Sequence, residues 1–150
     1  MNYEAYLTVY NSGDHRELVR RFCTDDVCFE AGALERVFRG KEEVLEFLLS
    51  LQDGVRDVLR AQVVMQDERH IFAEADMDFY AERDLPEFPF GPLRRGEYLT
   101  MKVFVVYYLR EGRIHRFKTS LWPANFGVTD PPAKGFGPEP PFMEGVRAEV

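Results

Sequence analysis

Three kinds of side chain in this sequence point first to chemistry: a carboxylate at Glu30, an imidazole at His115, and two thiols at Cys23 and Cys28. Histidine changes charge near neutral pH, so His115 is a candidate general base. It lies three residues past Gly112, close to a turn, where an exposed rim position is its ordinary reading. His70 follows the charged run Asp67-Glu68-Arg69 and reads as surface. The thiols suggest a metal pair or a redox switch, but His15, His70 and His115 are far apart in sequence and none stands at ligand spacing. A buried thiol acting as a small hydrophobe is the simpler reading of both cysteines. Asp25 and Asp26 read as turn residues.

These groups need elements to position them. Tyr3, Tyr6, Leu7 and Tyr10 recur at helical spacing, and Asn11-Ser12-Gly13 stops that helix. Asp14 with Glu17 resembles a capping box and opens a second helix with Leu18, Val19 and Phe22 inside. Thr24 to Asp26 reads as a turn, and Val27 to Ala31 as a short strand. After Gly40, KEEVLEFLLSL keeps Val44, Phe47, Leu48 and Leu51 on one face, with Glu42 and Glu43 at the positive end. From residue 58 the period falls to two. Strands are predicted over 58–66, 71–82, 98–109 and 113–122. The segment DLPEFPFGPLRR (84–95) has three prolines and reads as a loop.

The composition fits one soluble domain of 150 residues, 45% hydrophobic and 30% charged. A net charge of −7 argues against a nucleic-acid surface. The N-terminal residues lack a basic region followed by an apolar run, and no stretch is long enough to span a membrane, so a cytoplasmic location is expected. Residues 123–150 hold six of the nine prolines, which sets them apart as an extended C-terminal arm after a domain over 1–122. Phe126, Phe136 and Phe142 could dock that arm; a disordered tail is the alternative. Three helices followed by a run of strands is an α+β arrangement.

YLTVYNSGDHRELVRRFCTDDVCFE, FRGKEEVLEFL and YYLREGRIHRF occur in that order and resemble the nuclear transport factor 2-like superfamily, in particular its SnoaL-like and ketosteroid isomerase-like group. The resemblance covers residues 3–122. It implies a cone-shaped, curved antiparallel sheet packed against three helices, a cystatin-like α+β barrel. It also implies a hydrophobic small molecule inside and acid–base chemistry without a cofactor. The isomerase pattern carries an oxyanion-hole tyrosine five residues before the asparagine that ends the first helix, and here Tyr6 matches it. Its base ends the first strand after a glutamate. Glu30 matches the glutamate, but Ala31 stands where the base would be. Its second acid falls close to Val105. That mechanism needs a carboxylate to move the proton and a donor pair for the enolate, so ketosteroid isomerase activity is not expected.

If Ala31 and Val105 face the hollow, strand alternation brings Phe29, Met101, Val103 and Tyr107 with them. The strand 71–82 adds Ala73, Ala75, Met77, Phe79 and Ala81. The closing strand adds His115, Phe117, Thr119 and Leu121. The lining is apolar, with Tyr6, Tyr107, Thr119 and His115 as its polar groups, the usual composition of a small-molecule site. The alternative is that these side chains fill the cone as core. Glu30 alternates with Phe29 and should face away; a bulge there would make it the available base. The other face carries Phe104, Val106, Tyr108 and Trp122 with basic residues, and predicts a homodimer through the convex sheet. Two functions follow: a cofactor-free isomerase, cyclase or dehydratase in which Tyr6 and Tyr107 polarise an oxygen and His115 or Glu30 moves a proton, or a binding module without chemistry.

Overall fold

The computed structural model describes residues 1–128, with side chains as far as Leu121. Three helices come first: α1 (Tyr3–Ser12), α2 (His15–Phe22) and α3 (Gly40–Leu51). Between α2 and α3 run β1 (Cys23–Ala31), a 3₁₀ turn (Gly32–Leu34) and β2 (Arg36–Arg39). Four long strands follow: β3 (Val55–Gln66), β4 (His70–Ala81), β5 (Glu97–Arg110) and β6 (Arg113–Val128).

The helix boundaries follow from their caps. Asn2 accepts a hydrogen bond from the Ala5 amide at 3.0 Å, and Asp14 accepts one from Glu17 at 2.9 Å. Gly13 ends α1 in the left-handed region at φ +80°, which favours glycine. At the head of α3, the Glu43 carboxylate takes the Arg39 amide at 2.7 Å.

The sheet has six strands in the order β2-β1-β6-β5-β4-β3. The α+β class is as expected, but the sheet is mixed rather than antiparallel, because β1 runs parallel to β6. β2, α3 and the β3–β4–β5 meander separate β1 from β6 in the chain, a connection of the length that a parallel pair needs. Two features depart from the periodicity. Residues 24–26 lie within β1 rather than in a turn, held by Lys41–Asp25 at 2.8 Å and an Arg110–Asp26 ion pair. β2 has only Phe38 buried, too short a pattern to stand out in sequence.

The closing strand passes the boundary at 122 and pairs with β5 as far as Glu97–Val128. The arm at 129–150 lies outside the described residues, as do the side chains of Trp122 and Phe126.

A clamp joins α1 to the edge strand β3. The fully buried Asn11 side chain donates to the Leu59 carbonyl at 2.9 Å and accepts from the Leu59 amide at 2.8 Å. Arg56 donates to the Asn11 carbonyl at the end of α1, where a cation suits the helix dipole. The concave face and the helices enclose one main core. The prolines of 84–95 hold a loop whose Leu85, Phe88 and Leu93 are buried against it.

Candidate functional site

The concave face encloses a cavity of about 70 Å³. Three strands supply its floor in a fixed register. Ala31 lies beside Thr119, and Thr119 lies opposite Val105, so the Thr119 side chain sits between the two positions that lack acids. Phe29 lies beside Phe117 with the rings stacked at 4.2 Å, and Phe117 lies opposite Tyr107. Val103, Met77 and Leu121 complete the sheet side.

Of the expected lining, Ala73, Ala75, Ala81, Met101 and Phe79 do not border the cavity; the three alanines are buried in the core. Met101 is core, and Phe79 packs edge-on against Phe88 at 5.2 Å. Three missed residues, Tyr10, Phe47 and Leu51, form the helix wall opposite the sheet; Leu59 on β3 was missed too, as were Ala33, Leu34, Leu48 and Phe90 on the lining. The helical stripes containing Tyr10, Phe47 and Leu51 were legible, but nothing in their spacing separates wall from core.

Tyr6 and Tyr107 both border the cavity and meet there. Their hydroxyls are 3.4 Å apart, Tyr107 donating, and their rings cross edge-on at 5.4 Å. Tyr3 stacks on Tyr6 at 5.6 Å and fixes its tilt. Burial pushes both phenols well above the ordinary tyrosine range, so both remain protonated donors at any working pH. Among the described residues the Tyr6 hydroxyl has no acceptor of its own, which leaves its proton for a ligand oxygen. The Thr119 hydroxyl oxygen is buried and has no hydrogen-bond partner among the described residues. An unpaired buried hydroxyl is costly, and a ligand atom would satisfy it.

His115 and Glu30 do not join this group. β6 carries a bulge: Tyr108 faces Arg116 while Leu109 faces Ile114, so His115 is the extra residue. Ile114 takes the inward position, and His115 turns to the convex side beside Tyr108, rings 6.5 Å apart. The inward parity assigned to His115 is therefore corrected by that bulge. β1 has no bulge between Phe29 and Ala31, so Glu30 keeps its outward position. Its carboxylate accepts from Arg116 Nε at 2.6 Å and lies 3.4 Å from Lys118. Burial would raise its pKa, but the two cations outweigh it and hold the acid below its usual range. Glu30, His115, Cys28 and Arg39 line a shallow outer groove instead. Cys23 is buried, and burial pushes its thiol up to about 12, as befits a structural hydrophobe.

On the convex face, Lys102 pairs with Asp76 at 2.7 Å and Arg60 with Asp78 at 2.6 Å, while Thr100 donates to Asp78 at 2.6 Å. These acids are engaged within the chain. Among the described residues no group of side chains has the makings of a metal site, and no helix is long and apolar enough to cross a membrane.

Solved structures similar to this fold include a polyketide cyclase from Xanthomonas campestris, described as putative. It is 20% identical over 78% of this chain and 84% of its own, with a TM-score of 0.67. A SnoaL-like polyketide cyclase from Agrobacterium tumefaciens is 20% identical over 79% of this chain and 87% of its own, TM-score 0.61. An LEH-like epoxide hydrolase from M. tuberculosis is 17% identical over 79% of this chain and 78% of its own, TM-score 0.62. At these identities the likeness is one of fold. No curated protein matches the chain. The family model for the SnoaL-like domain matches residues 3–117, most of the chain, and covers α1 through the first residues of β6. The chain belongs to the SnoaL-like domain family.

Proposed function

We propose that this protein binds a small hydrophobic molecule in its cone and meets the molecule's single polar group with Tyr6, Tyr107 and Thr119. The observation that carries the reading is the buried Thr119 hydroxyl, which has no partner among the described residues and lies between Ala31 and Val105 in a largely apolar lining. Protonated phenols and a hydroxyl suit a carbonyl or hydroxyl oxygen, and they stabilise negative charge that develops there. The reaction class that fits is cofactor-independent isomerisation, cyclisation or dehydration. The resting cavity of about 70 Å³ is smaller than the ~150 Å³ that takes up benzene in a dry protein interior. A ring therefore enters only as the half-buried lining residues Leu34, Leu48 and Phe90 give way.

Fluorescence titration with 2-naphthol, an apolar bicycle with one hydroxyl, tests this. Binding is expected to be at least about fivefold tighter than for naphthalene, the value of roughly one hydrogen bond. Thr119→Val and Tyr6→Phe should erase part of that difference. Equal binding of the two probes, or none, contradicts the reading.

The second reading, a module without chemistry, draws support from the Phe29–Phe117 stack on the cavity lining and from the apolar side chains at Ala31 and Val105. We also propose a homodimer through the convex sheet. Phe72 and Phe104 lie 6.2 Å apart there, and Val63 and Met65, register partners of Glu74 and Phe72, are 45% and 59% exposed on the same face. Such a surface fits a second copy.

A further inference from the structure

Behind the helix wall of the cavity lies a carboxylate with no role so far. Asp57, on β3, is 1% exposed. The Tyr10 phenol donates to its Oδ2 at 2.7 Å, and Gln52 donates to its Oδ1 at 3.2 Å. His15 Nε2 stands 3.7 Å from Oδ2, and among the described residues neither ring nitrogen of the fully buried His15 has a hydrogen-bond partner. The adjacent Arg56 directs its guanidinium to the Asn11 carbonyl. Tyr10 itself borders the cavity, so the carboxylate is one side chain away from the hollow.

A structural pin is the simplest use of such a cluster. That work is already done by Asn11, which bonds both backbone groups of Leu59 and fastens the same helix end to the same strand. Apolar side chains of similar size would fill the space without the cost of burying a charge. A buried acid, a phenol and an unpartnered imidazole gathered beside a cavity are instead what proton transfer requires.

We propose that Tyr10 and Asp57 form the proton-accepting pair of this cavity, supplying from the helix wall the base that the sheet lacks at Ala31 and Val105. The inference rests on the reading that an apolar molecule enters the cone. A C–H or O–H proton of the ligand passes to the Tyr10 oxygen as Tyr10's own proton passes to Asp57 Oδ2. The electron pair of the broken bond stays on the ligand, and the charge is taken up at an oxygen facing Tyr6 or Thr119. Asp57 ends as a neutral carboxyl, and return of the proton at another ligand atom completes an isomerisation. No oxidant, reductant or metal enters the balance. The substrate class is an apolar ring molecule whose proton is made acidic by a neighbouring carbonyl or comparable group. Tyr10 is the catalytic residue; Asp57 acts through it, with Gln52 holding the carboxylate and His15 Nε2 standing 3.7 Å from it.

The test uses the full chain and 5-nitrobenzisoxazole. Removal of its ring C–H by a base breaks the N–O bond and releases a coloured cyanonitrophenolate. The protein should accelerate this elimination, and Tyr10→Phe and Asp57→Asn should each slow it about 100-fold. Titration of each variant with 2-naphthol shows whether its pocket still binds, so that the elimination rate is compared at saturation. The wild-type rate should fall in acid as Asp57 takes up a proton, and the residual rate of Asp57→Asn should not. A purely structural Asp57 would not move that pH profile. Tyr10→Phe keeps the ring and decides the matter if Asp57→Asn unfolds. Undiminished elimination in Tyr10→Phe, or no elimination by a wild type that binds 2-naphthol, overturns the relay and leaves the pocket standing. Failure of wild type to bind 2-naphthol overturns the pocket reading, and the relay with it.

Discussion

Truncating Asn11 to alanine should cost this protein more than its small volume suggests. The side chain is fully buried and makes two hydrogen bonds to one residue, at 2.8 and 2.9 Å, on the edge strand β3, which has no further strand on that side among the described residues. Alanine would leave the Leu59 amide and carbonyl without partners, at a residue only 2% exposed. Each lost bond is worth about 1 kcal/mol net, and a stranded buried group costs about 1–3 kcal/mol. Alanine's better helix propensity returns roughly 0.5 kcal/mol. The balance is a loss of about 2–4 kcal/mol, read as a lower urea midpoint with an unchanged slope. Asn11→Asp adds a sign. One carboxylate oxygen can still accept from the Leu59 amide, but the other faces the Leu59 carbonyl and can bond it only when protonated. The folded state then favours the neutral acid, so this variant should recover stability relative to wild type as pH is lowered. A loss under about 1 kcal/mol for alanine, or no pH-dependent recovery for aspartate, would refute the clamp.

Other expectations are independent of it. Gly32→Ala places a Cβ 2.7 Å from the Thr119 carbonyl oxygen. Backbone must shift, so a destabilisation of about 1–3 kcal/mol and weaker 2-naphthol binding should appear together in unfolding and fluorescence titrations. His115→Ala should leave the elimination rate and 2-naphthol affinity unchanged, because the bulge holds His115 on the convex side; a tenfold change in either would contradict that placement. The donors around Asp57 outweigh burial and lower its folded-state pKa. The stability it contributes is present above the unfolded value of ~4 and is lost as pH falls through the lower folded value. Asp57→Asn should therefore flatten the acid limb of a thermal-stability profile, and an unaltered limb would show that this carboxylate is not held as described. Light scattering at micromolar concentration should give a dimer; a monomer would dispose of the convex interface.

Much of the fold was legible because its signals are local. The stripe through Tyr3, Tyr6, Leu7 and Tyr10, the Asp14 cap and the alternation through Ala73, Ala75 and Phe79 each follow from a repeat within a few residues. The parallel pairing of β1 with β6 joins segments about ninety residues apart (Cys28 with Arg116) and leaves no mark on either alone. The site shows the same division. Phe29, Ala31, Val103, Val105, Phe117, Thr119 and Leu121 were recoverable by counting in twos. His115 was misplaced because one inserted residue shifts the phase, and a bulge depends on its partner strand. Asp57 was invisible in VRDVLR, where a charged residue reads as solvent-facing. Only the helix ends bearing Tyr10 and His15 explain its burial.

The central claim is that the cone receives an apolar molecule and holds its oxygen at the phenol pair and Thr119. A crystal structure with 2-naphthol tests it most directly. The account predicts ordered ring density beside the Phe29–Phe117 stack, with the naphthol oxygen within about 3.2 Å of the Tyr6, Tyr107 or Thr119 hydroxyl. An unchanged, ligand-free cone beside naphthol bound only on the convex face would contradict it.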